Sequence, residues 1–234
     1  MASNVTLASL RAQSRATADM QNSGFVTPEE HDQYINLAAQ TLYDILVSRY
    51  EDYYMANPLL FTVLAPNPLT PEAVAETSLP ADFYKLRGVD VQDSGSQWAP
   101  MRAFTFQERN TLQNPLLLLS SNIAANMYRL RANKLQILGV IASPFVGRMW
   151  YIPKMNQLVA PTDTFDGVNG WERHIIISVA IMMKQKEESD VSVLMVELEK
   201  IEDRIRNMAD NRDAGAPERV TDVSGLGWGP VQRF

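Results

Sequence analysis

Cysteine is absent from the 234-residue chain. Its absence excludes a disulfide scaffold, a cysteine-ligated zinc site and thiol catalysis. Histidine is scarce, with only His31 and His174. They fall on different predicted helices. His31 follows a helix start and is expected to be solvated. His174, in WERH, has Glu172 beside it, but a metal site needs three or four converging ligands, so a structural histidine is expected. Positive charge is in deficit. Lys and Arg number 21 against 27 Asp and Glu, for a net charge of -6. A bulk nucleic-acid binder would be basic, so this balance argues against one. No apolar run approaches the ~20 residues a membrane helix needs; the strongest, Ile175–Met183 (IIISVAIMM), is far shorter. Thr6–Gln21 is polar and carries no signal-peptide pattern. A soluble protein, kept in a reducing compartment or indifferent to redox state, is expected. Walker, GxGxxG, GxSxG and HExxH motifs are all missing, so neither an enzyme nor a cofactor is expected.

What remains is an ordinary globular composition, 46% hydrophobic and 21% charged. The length suffices for one large domain or two small ones with a real core. Thr6 is placed to cap a helix from Leu7 to about Met20, whose apolar face (Leu7, Leu10, Ala18) is weak. Asn22-Ser23-Gly24 breaks the chain. TPEE at 27–30 then supplies an N-cap, a proline at the first helical position and a capping-box glutamate. Behind it Ile35, Ala38, Ala39, Leu42, Ile45, Leu46 and Tyr50 form one stripe at the helical period, predicting a helix to about Tyr54.

The middle of the chain is different. Prolines at 58, 66, 68, 71 and 80 exclude long helices there. Strands are predicted at Leu59–Leu64, Phe83–Val91, Trp98–Ala103 and within 148–155, where Pro153 marks an edge or an end. A hairpin is predicted over 128–138 with Ala132-Asn133 at its turn. Glu108 and Arg109 suit one helical turn. Trp171–Glu188 reads as helix rather than strand because the apolar run continues past strand length. A helix apolar on every side needs cover on every side, from its own domain or a neighbouring subunit. KEESDVS, 186–192, is the elbow into a second helix, with Ser189 or Asp190 as its N-cap. That helix carries Val191, Leu194, Leu198, Ile201, Ile205 and Met208 at coiled-coil-like spacing, and a Glu202–Arg206 pair outside the seam. After Asn211 periodicity stops, and glycines and prolines predict an extended arm.

Candidate chemistry is thin. Asp163, Asp166, Asn169 and Glu172 resemble a calcium loop only faintly, and the Asp-Gly and Asn-Gly pairs there are ordinary turn signals. Glu187, Glu188 and Asp190 read as a solvated elbow. Arg129, Arg131 and Lys134 alternate along the hairpin and suit the wet face of a strand more than a phosphate site. Surfaces for partners stand out instead: Tyr43, Tyr50, Tyr53 and Tyr54 near one helix end, the isoleucine-rich helix, and an arm with Trp228 that ends in Phe234.

LPADFYKLRGVD at 79–90, YRLRANKLQI at 128–137, MWYIPKM at 149–155, DTFDGVNGWERHIIISVAIMMKQKEESDVS at 163–192 and NRDAGAPERVTDV at 211–223 together resemble the head-to-tail adaptor (connector) proteins of tailed bacteriophages. The resemblance implies an α+β fold: an α-helical bundle with an inserted small antiparallel β-domain and an extended C-terminal arm. The expected divisions are 1–55 for the N-terminal helices, 56–169 for the β insertion, 170–211 for the helical hairpin and 212–234 for the arm. It further implies a homo-oligomeric ring, commonly a dodecamer, at the portal–tail junction of the virion. Such a ring binds the portal protein above and the next tail protein (nozzle or tail tube) below. Double-stranded DNA passes through its centre without sequence recognition, and no membrane is involved. Arg219, Val220, Trp228 and Phe234 are the expected portal- or neighbour-binding residues of the arm. Tyr50, Tyr53, Tyr54, Ile175, Ile177 and Ile181 are the expected subunit interface. Alternatives are another tail or stopper component, or a small metal-dependent enzyme using the loop at 163–172.

Overall fold

The computed structural model describes residues 4–63, 75–92, 97–108, 127–138, 145–168 and 170–212. The fold is α+β, with four α-helices and three small, mainly antiparallel sheets among the described residues. It divides into two compact units, a helical one from the residues up to Leu42 and from Val159 onward, and a β unit, Tyr43–Leu158. The expected arm, with Arg219, Val220, Trp228 and Phe234, lies outside the described residues, beyond Arg212.

The helical unit opens on β1 (Asn4–Thr6), which pairs antiparallel with β10 (Thr164–Asp166). Neither strand was expected: three residues carry no readable alternation, and the partners are far apart in sequence. Helix α1 (Leu7–Ala18) starts where Thr6 Oγ1 accepts the Ser9 backbone N–H at 3.2 Å. Its buried residues, Leu7, Leu10, Ser14 and Ala18, fall on one face at spacings of three and four. It ends at Asp19, whose left-handed backbone (φ 59°) lets the Met20 N–H reach back to the Arg15 carbonyl at 2.9 Å.

Helix α2 (Pro28–Arg49) begins with the expected capping box. The Thr27 N–H donates to Glu30 Oε2 at 3.1 Å and the Glu30 N–H to Thr27 Oγ1 at 3.2 Å. Thr27→Ala is expected to cost about 1 kcal/mol in urea unfolding. Thr27→Ala with Glu30→Ala should cost less than the sum of the two, because each loss already breaks half the reciprocal pair. The helix stops at Arg49 rather than near Tyr54, and residues 51–54 form a turn.

Helix α3 (Arg173–Lys186) is buried at every position from His174 to Ile181 and at Met183. Its β-branched run stays helical because packing overrides propensity. It packs against α1 and against α4 (Ser192–Arg212). At the elbow Glu188 is left-handed (φ 60°). Asp190 rather than Ser189 sets the next helix: its carboxylate accepts the Ser192 N–H at 2.9 Å and the Ser192 hydroxyl at 3.0 Å. Ser189 turns back to Glu187. The expected seam of α4 is only partly covered: Ile205 is fully buried, but Met208 is exposed. Glu202 and Arg206 pair at 3.0 Å as expected.

The β unit holds two four-stranded sheets. One has the order β2 (Leu59–Val63), β9 (Phe145–Pro153), β4 (Phe83–Gln92), β5 (Trp98–Pro100). The other runs β3 (Ala75–Ser78), β8 (Lys134–Leu138), β7 (Met127–Arg131), β6 (Arg102–Ala103), with β6 and β7 parallel. The β7–β8 hairpin turns at Ala132-Asn133 as expected, with Ala132 at φ 51°. Phe106–Glu108 is one 3-10 turn. Strand β9 is central, and Pro153 is tolerated as its last residue. Phe61, Val89, Val91, Met101, Leu135, Ile137 and Met149, drawn from both sheets and the β5–β6 connection, form one core.

Candidate functional site

The acidic loop before α3 is organised by its own backbone. Asp163 Oδ2 accepts the N–H groups of Val159 and Ala160, both at 2.8 Å, and these bonds hold its pKa below the ordinary carboxylate value. Asp166 Oδ1 accepts the Val168 N–H at 2.9 Å. Glu172 is buried against the turn: a Cβ on Gly167 would stand 2.8 Å from its carboxyl carbon. The loop therefore has turn chemistry, while Asn169 lies outside the described residues. Among the described residues no three His, Asp or Glu side chains converge as a metal site.

His174 is buried, as a structural histidine would be. Its Nε2 stands 3.5 Å from Glu202 Oε1 of α4, and burial pushes its pKa down against the upward pull of that carboxylate. The Arg204 guanidinium lies 5.3 Å from the Trp171 ring centroid. The Trp171 indole N–H, Glu172 Oε1 and both His174 ring nitrogens are buried without a hydrogen bond. The His174–Glu202 and Trp171–Arg204 contacts tie the α3 start to α4.

His31 is not solvated, contrary to the sequence expectation. It is 1% exposed and meets α1, with Nε2 2.8 Å from Ser14 Oγ. The pair looks like a nucleophile and its base, but its protons run the wrong way. Arg15 Nε donates to Nδ1 at 3.3 Å. A guanidinium can only donate, so Nδ1 is the unprotonated nitrogen and Nε2 carries the hydrogen. Ser14 Oγ then accepts from the ring, and its own hydrogen goes to the Leu10 carbonyl at 2.7 Å. A serine that accepts from histidine is not activated for attack. His31 continues the Ile35, Ala38, Leu42 stripe by one turn toward the helix start, which places it on the buried face.

The tyrosines do gather in the β unit. Tyr43 and Tyr54 meet edge to face at 5.0 Å, Tyr53 and Tyr54 at 5.1 Å, and Tyr43 and Tyr84 at 5.8 Å. The Tyr43 hydroxyl donates to the Pro153 carbonyl at 2.5 Å, and burial raises its pKa to about 12. Of the three tyrosines expected at a subunit interface only Tyr53 is exposed; Tyr50 is buried and Tyr54 half-buried. Ile175, Ile177 and Ile181 are buried within the chain itself. Of the two covers the sequence left open, own domain or neighbouring subunit, the chain itself supplies one, with α1 and α4 packed against the helix that carries them.

Other charged side chains are engaged locally. Arg129 donates to Gln136 Oε1 at 2.6 Å, and Lys134 pairs with Glu76. Sequence reading missed one aromatic cluster. The Arg148 guanidinium lies 4.4 Å from the Trp98 ring centroid and 5.0 Å from that of Trp150. Asp90 Oδ2 accepts from Arg148 Nε at 2.6 Å and from Trp150 Nε1 at 2.8 Å. Its members sit on three strands, so only the register of β4, β5 and β9 assembles them.

No known protein-family model matches the chain, and a search of curated proteins finds no relative.

Proposed function

We propose that this chain is a structural head-to-tail adaptor of a tailed bacteriophage, with no catalytic role. In this reading it is a monomer or loose oligomer alone, closes into a ring of twelve subunits on contact with the portal, and joins capsid to tail at the portal–tail junction. The observation that carries the reading is the resemblance of 79–90, 128–137, 149–155, 163–192 and 211–223 to that family, spread over most of the chain. The order of elements supports it: a β unit follows α2, and a helical hairpin, α3–α4, follows the β unit. The proposed finer architecture is a helical bundle with an inserted β-domain and an extended C-terminal arm.

The chemistry is compatible with that role. The net charge of -6 suits a channel through which DNA slides, because dense phosphate contacts would create affinity. Ring subunits need two different side surfaces that close by rotation. With Ile175, Ile177 and Ile181 inside the fold, the exposed apolar side chains left for such surfaces include Tyr53, and Val193, Met195 and Val196 on α4. The proposed arm residues Arg219, Val220, Trp228 and Phe234 would reach the portal or a neighbouring protein.

The test mixes the chain with the portal protein of the same phage and weighs the products by mass photometry. Full-length chain should add a ring mass to the portal, whereas chain truncated after Arg212 should not. If neither form binds the portal, the adaptor reading fails and another tail or stopper position is the next to test.

A further inference from the structure

The contact between α1 and the start of α2 is organised around one neutral imidazole. Arg15 donates through Nε to His31 Nδ1 at 3.3 Å. The same guanidinium donates through Nη1 to the Ser23 carbonyl at 3.1 Å and through Nη2 to the Val26 carbonyl at 3.2 Å. One side chain of α1 therefore holds the ring and two carbonyls of the connection between the two helices. On the other side of the ring, Nε2 donates to Ser14 Oγ at 2.8 Å. The ring is buried, so water is not at hand to replace either bond.

We propose that neutral His31 is a proton-sensitive latch that closes the 19–27 connection against α1, and that a proton on Nδ1 opens it. The inference does not rest on the adaptor reading. Protonation turns the one ring acceptor into a donor, so Arg15 loses its partner and an N–H faces an N–H. It also places a second cation beside the guanidinium in a buried site. The charged groups around the ring offer little relief. Arg11 and Arg15 face it from α1. Asp32, next to it on α2, is engaged through both oxygens by Arg11 at 2.6 Å. Glu30, preceding it, is held by Lys186 of α3 at 2.7 and 2.8 Å.

Burial, with the Arg15 charge second, lowers the His31 pKa from 6.5 to about 4. The sign follows from linkage: the opened state binds the proton more readily than the closed one. The latch is fully closed above pH 6.5 and weakens progressively as pH falls from there toward 4.

The experiment uses the full chain. Histidine ring nitrogen shifts at pH 7 should show His31 with its hydrogen on Nε2. Amide hydrogen exchange, corrected for intrinsic rates, should show residues 20–27 losing protection roughly 10- to 100-fold between pH 6.5 and 4.5. In His31→Gln, which cannot titrate, that added loss should disappear. A hydrogen on Nδ1, or a His31 titration near 6.5 with the connection still protected, overturns the proposal. So does an equal loss in His31→Gln, which would assign the opening to carboxylates. Should His31→Gln not fold, the ring shifts and titration of the unmodified chain still decide the matter.

Discussion

Gly147→Ala should destabilise the β unit by about 2 kcal/mol, and Gly147→Val should leave it largely unfolded. Gly147 is buried in the central strand β9 and lies opposite Phe61 of β2. A Cβ added there would stand 2.4 Å from Phe61 Cζ and 2.6 Å from Cε2. Real contacts of that length do not occur, so the ring or the strand must move. Movement at the tip of a lysine would be inexpensive. Here the obstacle is an aromatic ring that is itself part of the two-sheet core, 8% exposed. Swinging it out exposes apolar surface, and shifting β9 disturbs its ladders with both β2 and β4.

The partner can be identified by a double-mutant cycle. Phe61→Leu alone should cost about 1 kcal/mol by shrinking a core side chain, yet it should make Gly147→Ala cheaper by a similar amount. Urea unfolding followed by tryptophan fluorescence reads this, because Trp98 and Trp150 both lie in this unit. Strict additivity of the two substitutions would sink the argument that the ring is what excludes a side chain at 147.

Elements with local signals were legible in the sequence. Thr27 and Glu30 announce α2 through chemistry confined to four residues, and Ala132-Asn133 announces a hairpin whose strands alternate on both sides. Strand β3, Ala75–Ser78, was missed because AETS has no apolar alternation; it is held by its register with Lys134–Ile137, including Glu76 opposite Gln136. Residues 4–6 and 164–166 pair across most of the chain, so neither segment carries its own signal. The buried polar contacts fared worse for a different reason. Periodicity marks a face but not whether a polar residue on it is solvated, and Ser14 and His31 complete apolar stripes that were read without them. The Trp98–Arg148–Trp150 cluster exists only once three strands are in register, a fact that spacing along the chain cannot encode.

Ile177→Ala is expected to cost 2–5 kcal/mol, roughly the range for a large aliphatic side chain removed from a core, with the same loss at every protein concentration. Two readings of the isoleucine-rich helix diverge here. An exposed apolar helix covered by a neighbour would lose association, and its apparent stability would follow concentration by mass action. Ile175 and Ile177 are both fully buried in the single chain, however, on a helix flanked by α1 and α4. Truncating either opens a cavity inside one subunit, and the neighbouring side chains relax only in part. Thermal unfolding at two concentrations a hundredfold apart separates the cases, provided the unmodified chain is measured alongside. A loss confined to the dilute sample would return this helix to the subunit interface. A loss equal at both would leave the exposed side chains of α4, Val193, Met195 and Val196, as the surface in this unit where a ring contact should be sought. Substituting those with serine should then spare the monomer's stability, since exposed apolar side chains contribute little to the fold that carries them.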